Sequence, residues 1–138
     1  MSHPVIPAHP VIPEKYTDLL TRPLFAHLAT LNPDGTPQVT PIWQLWDGEF
    51  LRFTTTTTRA KHRNTARDPH VAVSINDPEA PYRYLEIRGV IERVDADPEG
   101  EFFDVLAQRY GLPYEKPVGD HPDRVVLVMR PTHTTYQG

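Results

Sequence analysis

The 138-residue sequence contains no cysteine, which excludes disulfide bonds, thiolate metal ligands and cysteine nucleophiles. Serine is nearly absent as well. Apart from Ser2 there is Ser74, which lies in an apolar strand-like segment without the glycines of a nucleophile elbow. Neither of the glycine-rich phosphate loops, GxGxxG or GxxxxGK[ST], occurs. The chain has no self-contained catalytic centre, so an enzyme of this kind would take its chemistry from a bound cofactor.

Long apolar segments and an excess of positive charge are also lacking. No run approaches the ~18 apolar residues of a membrane span, and no secretory signal is present, so we expect a cytoplasmic protein without membrane association. The 14 basic and 18 acidic residues leave a net charge of −4, which argues against nucleic-acid binding. The seven histidines include no pair at ligand spacing within one predicted element, so no metal site is expected.

Proline, in contrast, is abundant, with 16 residues. An HPVIP repeat at residues 3–7 and 9–13 predicts an extended N-terminal arm over residues 1–12. This arm either crosses a partner subunit or frays as a free tail. Residues 13–138 have the length of a single domain.

Hydrophobic patterning predicts an α+β, mainly β fold of about six antiparallel strands with short flanking helices. Strand-like runs at residues 25–31, 38–46 and 49–56 are separated by two Asp-Gly turns, which predicts an antiparallel meander. Further strands are predicted at residues 70–75, on either side of a possible bulge at Gly89 within residues 82–94, and at residues 124–130. Helices are predicted near residues 14–20, 59–67 and 97–110. This order favours a closed or split barrel over a parallel sheet.

The segment with the clearest functional pattern is residues 54–67, where five consecutive threonines precede a basic helix. The free N–H groups of a helix start, the helix dipole and the cations Arg59 and Lys61 together form an anion site. Asn64 adds an amide one turn later. Phosphate is the natural ligand of such a site, and the alternative is a solvated basic helix without a ligand.

Two further segments suit a flat ring. Val39, Pro41 and Trp43 alternate onto one face of a strand, and Pro41 restricts that strand to a sheet edge or a position facing a ligand. The alternative is a core face. Tyr82 and Tyr84 flank an arginine where a loop enters a strand, so they either stack on a planar ligand or anchor the loop.

Residues 25–43, 54–75 and 77–92 together resemble the pyridoxamine 5′-phosphate oxidase-like split β-barrel superfamily. The resemblance is closer to the branch of small (B-type) reductases that depend on the deazaflavin coenzyme F420, and it spans about residues 13–131. It implies a homodimer with a cofactor site at the subunit interface.

The resemblance also implies roles for single residues. Arg59 and Lys61 match the basic pair that holds the cofactor phosphate, and Asn64 matches the amide one turn later. Tyr82 and Tyr84 match aromatic positions that the partner chain offers to the site. Together with the residues selected above, the expected cofactor-binding set is Val39, Thr40, Pro41, Trp43, Thr54, Thr55, Thr56, Arg59, Lys61, Asn64, Tyr82 and Tyr84.

The implied function is transfer of a hydride from reduced F420 to an electron-poor small organic acceptor. Three alternatives stay open. The first is an FMN-binding oxidoreductase on the same fold, and the second is a non-enzymatic protein that carries a flavin or F420. A haem-handling relative is a third, although no histidine lies in an axial-ligand context. No catalytic side chain is assigned; Tyr82, Tyr84, His27 and solvent are candidate proton donors.

Overall fold

Seven antiparallel strands and three short α-helices form the structure, a computed structural model that describes residues 9–138. The strands are β1 (Ala26–Leu31), β2 (Pro37–Ile42), β3 (Leu45–Trp46), β4 (Leu51–Thr56), β5 (His70–Asp77), β6 (Ala80–Ala96) and β7 (Arg124–Gln137). The helices are α1 (Asp18–Thr21), α2 (Ala60–Arg67) and α3 (Glu101–Arg109), with 3-10 turns at Glu14–Tyr16 and His121–Asp123. Within this part of the chain, no helix is long and apolar enough to cross a membrane.

The order of strands in the sheet is β2-β1-β5-β6-β7-β4-β3, so β2 and β3 lie at its two edges. Trp43 and Gln44 alone connect these edge strands. A chain of that length spans only ~10 Å, so the sheet must curl until its two edges approach each other. This crossover produces a split barrel and confirms the predicted mainly β fold.

The meander predicted for the first three strands is wrong in its middle. The predicted strand over residues 38–46 is interrupted at Trp43 and Gln44, and β4 pairs with β7 rather than with β2. The backbone N–H of Gln44 donates to the hydroxyl of Tyr110, and its carbonyl accepts from Nε of Arg109. These side chains bond the backbone N–H and C=O groups that would pair with a neighbour in a continuous strand. β2 therefore ends, and the chain crosses to the other edge of the sheet.

Gly89 forms a bulge in β6, as predicted. The register against β7 shifts between Arg88 and Gly89, and a Cβ at position 89 would collide with the carbonyl oxygen of Arg130. The two predicted strand halves are therefore one 17-residue strand. β7 extends past its predicted end to Gln137, because pairing with β6 organises a polar segment that has no apolar run of its own.

The N-terminal residues within the described part of the chain pack on the rest of the same chain. Tyr16, Leu19 and Leu20 are buried, as their helical spacing predicts. Ile12 is buried too, and the carbonyl of Val11 accepts a hydrogen bond from the hydroxyl of Thr134. Residues 1–8 of the predicted arm lie outside the described residues, so contact with a partner stays a prediction.

The end of α3 connects the crossover to α1. The guanidinium of Arg109 donates to the carbonyl oxygens of Leu20, Thr21, Arg22 and Gln44 at 2.9–3.2 Å. One side chain thus satisfies carbonyls at the end of α1 and holds the chain between the two barrel edges.

Candidate functional site

A groove of about 210 Å³ lies at the crossover between the two barrel edges. It is lined by Phe25, Pro41, Ile42, Trp43 and Thr54. The groove therefore combines the end of β2, the crossover and β4. Three of the predicted cofactor-binding residues meet here, although they are up to thirteen positions apart in the sequence.

The predicted ring-binding face is on the outside of an edge strand. β2 is at the sheet edge, as Pro41 predicts, and the side chains of Val39 and Pro41 are exposed. Val39 has 61% of its surface accessible. A core role is therefore wrong for these two residues. Trp43 is half-buried and stacks on Tyr110, with ring centroids 5.3 Å apart and planes at 13°.

Two predicted site hydroxyls are buried and have no hydrogen-bond partner among residues 9–138: Oγ1 of Thr40 and Oγ1 of Thr55. Thr40 pairs with the buried Leu28, and Thr55 shares its face of β4 with the buried Phe53, so both face the barrel interior. A buried hydroxyl without a partner costs about 1–3 kcal/mol. A polar ligand reaching into the barrel would remove that cost.

Thr54 and Thr56 lie on the opposite, outer face of β4, because side chains alternate along a strand. Thr54 lines the groove. The hydroxyl of Thr56 is instead bonded to that of Thr58 at 2.9 Å. The threonine run is thus divided between the two faces of the sheet rather than forming one wall.

Arg59 and Lys61 lie at the N-terminal end of α2, as predicted. Arg59 is exposed at the N-cap position, where no side chain caps the helix. Neither residue forms an ion pair with any other residue that the structure describes. Partial burial lowers the pKa of Lys61, and the neighbouring Arg59 guanidinium lowers it further. An anion bound at this end of α2 would relieve both effects.

Asn64 is 2% exposed and holds α2 against β1. Its Nδ2 donates to Oγ1 of Thr30 at 3.0 Å and to Oδ1 of Asn32 at 3.1 Å, and its Oδ1 accepts from Arg67. A direct bond from this amide to a phosphate would require one of the two donated bonds to break. Its role in cofactor binding stays a prediction.

Tyr82 and Tyr84 are far from the basic pair within one chain. α2 leads into the start of β5 at His70, whereas Tyr84 pairs with Asn76 towards the other end of that strand. Six strand residues span ~20 Å. Tyr82 is 68% exposed. One chain therefore does not bring the tyrosines to α2, and their contribution to a partner's site stays a prediction.

Sequence reasoning missed Arg124. Its guanidinium donates to both carboxylate oxygens of Asp120 at 2.8 and 3.0 Å, and its Nη1 lies 3.4 Å from Oγ1 of Thr54. Asp120 precedes Arg124 by four residues, but the intervening sequence is rich in proline and charge and gives no helical pattern. The two residues meet because a 3-10 turn lies between them.

A family model described as pyridoxamine 5′-phosphate oxidase matches residues 12–138. The chain belongs to the pyridoxamine 5′-phosphate oxidase family. This confirms the resemblance found in the sequence. No curated protein matches the chain. In the residues of this family member that the structure describes, no group of three or more acidic or histidine side chains is placed to hold a metal ion.

Solved structures extend this relationship. A protein described as an F420 reductase is 53% identical to this family member, with a TM-score of 0.89, and the match covers 91% of this chain and all of that one. A conserved hypothetical protein of Mycobacterium tuberculosis is 26% identical (TM-score 0.70; 91% and 84% covered). The general stress protein 26 of Bacillus anthracis is 20% identical (TM-score 0.67; 89% and 91% covered), which shows the shared fold.

Proposed function

We propose that this protein is an F420-dependent reductase that acts on electron-poor small organic molecules. The observation that carries the proposal is the basic pair Arg59 and Lys61 at the uncapped start of α2. It occurs in a chain that is 53% identical to a protein described as an F420 reductase, over the whole of that protein. The exposed β2 edge and the groove beside it add an apolar surface for a flat ring.

The donor set fits a phosphate-bearing flavin or deazaflavin. Arg59 and Lys61 bind the phosphate, together with the free N–H groups of α2. Val39 and Pro41 support one face of the ring, and Trp43 excludes water from the neighbouring groove. When bound in its reduced form, the cofactor supplies the hydride. The protein contributes orientation and neutralisation of the phosphate charge.

We also propose that a second copy of the chain completes the site. In support, an apolar groove of about 490 Å³ lies on the outer face of β1, β5 and β6, and the largely exposed Val39 pairs with Ala29 in the wall of this groove. Light scattering at micromolar concentration would then give the mass of a dimer. A monomer that binds its cofactor with full affinity would contradict this proposal.

The function is tested by titrating the protein with F420 and, separately, with FMN, followed by turnover assays with enones and quinones. Tighter binding of F420 with turnover is the expected result. Preference for FMN would instead indicate a flavin oxidoreductase. Tight binding of either cofactor without turnover of any acceptor would indicate a carrier protein. Binding of neither would contradict the proposal.

A further inference from the structure

Thr54 lies on the wall of a groove whose other lining residues, Phe25, Pro41, Ile42 and Trp43, are aliphatic or aromatic. Its Oγ1 is 3.4 Å from Nη1 of Arg124. A guanidinium can only donate hydrogen bonds, so the threonine oxygen is the acceptor in this pair and its own hydrogen remains free. Within residues 9–138, no other side chain bonds to this hydroxyl. Thr54 therefore has an unused hydrogen-bond donor in the wall of the groove.

The position of Arg124 is fixed by contacts with Asp120 and Phe103. Asp120 binds it through both carboxylate oxygens, at 2.8 and 3.0 Å. The guanidinium carbon lies 4.6 Å from the centre of the Phe103 ring. Phe103 in turn packs on Trp43, with ring centroids 5.7 Å apart. The side chain of Arg124 is only 9% exposed, so its contact with Thr54 is largely shielded from water.

These contacts form a chain from Asp120 through Arg124 to Thr54 and the groove. A hydroxyl that accepts a bond from a cation is a stronger donor through its own hydrogen, because hydrogen bonds in series polarise one another. An oriented donor in a mostly apolar groove can select the orientation of a bound ligand.

We propose that Thr54, oriented by Arg124, donates a hydrogen bond to a carbonyl oxygen of the ligand in this groove. The inference rests on the proposed function and gives Thr54, a member of the expected cofactor-binding set, a specific contact with the ligand. The carbonyl belongs either to the ring of the bound cofactor or to the acceptor. Arg124 acts through Thr54 and is a positioning residue.

The test compares Thr54→Val, which keeps the shape of the side chain and removes the hydroxyl, with Thr54→Ser, which keeps the hydroxyl. Affinities for FMN and F420 are measured by calorimetry, and the carbonyl stretching bands of bound FMN by infrared difference spectroscopy. Melting temperatures show whether each variant is folded. If the oxygen is on the cofactor, Thr54→Val weakens binding about tenfold and shifts the bands, whereas Thr54→Ser restores both.

If the oxygen is on the acceptor, cofactor affinity is unchanged in Thr54→Val. Instead kcat/KM falls about tenfold for an acceptor that bears a carbonyl and stays constant for one that lacks it. Thr54→Ser again restores the wild-type value. Either pattern supports the proposal.

Arg124→Met supplies an independent measurement in a double-mutant cycle. If Arg124 acts through the hydroxyl, its replacement weakens binding or kcat/KM in the wild type and has little further effect in Thr54→Val. Additive losses would contradict the positioning role.

One result would overturn this inference and leave the proposed function intact. In that result the wild-type protein binds its cofactor and reduces an acceptor, and a folded Thr54→Val variant has the same affinity, infrared spectrum and kcat/KM. A Thr54→Ser variant as impaired as Thr54→Val would overturn it too. A wild-type protein that binds neither cofactor would overturn both this inference and the proposed function.

Discussion

Tyr110 stacks on Trp43, with ring centroids 5.3 Å apart and planes at 13°. The Tyr110 hydroxyl accepts the backbone N–H of Gln44 at 3.0 Å and donates to the carbonyl of Leu24 at 2.7 Å. The tyrosine also packs on Phe25, which lines the groove together with Trp43. Tyr110, the residue that follows α3, therefore holds the crossover and both aromatic residues of the groove in place.

Tyr110→Phe is expected to lower the free energy of unfolding by about 1–3 kcal/mol, because the N–H of Gln44 and the carbonyl of Leu24 lose their partner while the ring stack remains. Urea denaturation measures this loss. Tyr114→Phe is the matched control, since the hydroxyl of Tyr114 bonds to the side chain of Asp104 near the surface. Equal effects of the two substitutions would contradict the role given to Tyr110.

Lys61→Ala is expected to weaken cofactor binding about ten- to a hundredfold, because a charge-assisted bond to phosphate contributes roughly 1.5–3 kcal/mol. Calorimetric titration with F420 and FMN measures the effect. Lys116→Ala is the control: it removes an exposed lysine that pairs with Asp104 on α3, and binding should not change. The melting temperature should stay the same in both variants.

Binding through Lys61 also predicts a pH dependence. Burial and the Arg59 charge lower the pKa of the Lys61 ammonium in the unliganded protein. Affinity for the phosphate should therefore decrease with rising pH earlier than for an ordinary lysine, and Lys61→Ala should not show this decrease. Parallel pH profiles of the two proteins would argue against phosphate contact by Lys61.

Asp18→Asn is expected to reduce stability at neutral pH. Arg83 binds the Asp18 carboxylate at 2.7 and 3.0 Å and holds its pKa below the usual range, with a smaller contribution from Arg22. A carboxyl with a lowered folded-state pKa stabilises the fold above its unfolded-state pKa. This stabilisation is lost as the pH falls through the folded-state pKa.

The difference in melting temperature between wild type and Asp18→Asn should thus be largest near pH 7 and shrink in acid. Thermal melts from pH 7 to pH 3 would show this trend. Glu49→Gln, at an exposed turn position, is the control for the loss of one carboxylate charge. If the difference in melting temperature between wild type and Asp18→Asn did not change with pH, the Asp18 carboxylate would not contribute to the loss of stability in acid.

Gly89→Ala is expected to destabilise the fold by about 1–3 kcal/mol or to prevent folding, because the added Cβ meets the carbonyl oxygen of Arg130 on the neighbouring strand. Gly119→Ala is the matched control: its Cβ would meet no atom within 4 Å. Chemical denaturation compares the two variants. If Gly89→Ala were as stable as Gly119→Ala, the close approach of β6 and β7 would be contradicted.

Much of the fold follows from local patterns in the sequence. The Asp-Gly turns mark the ends of the first strands, and the helical spacing of Tyr16, Leu19 and Leu20 predicts their burial. The basic helix begins after the threonine run, as predicted. The stretches that carry the family resemblance are likewise contiguous, so the family could be inferred before the fold was known, and the family model confirms it.

The sequence by itself determined most of the strands, the basic helix and the family, because these depend on neighbouring residues and on continuous motifs. The tertiary structure decided where the site lies. The bonds that break the second strand join Gln44 to residues 65 and 66 positions away, and the contact between Thr54 and Arg124 spans 70 positions. Such contacts form only when the sheet curls and α3 packs on its outer face, and no local pattern encodes which distant side chains then meet.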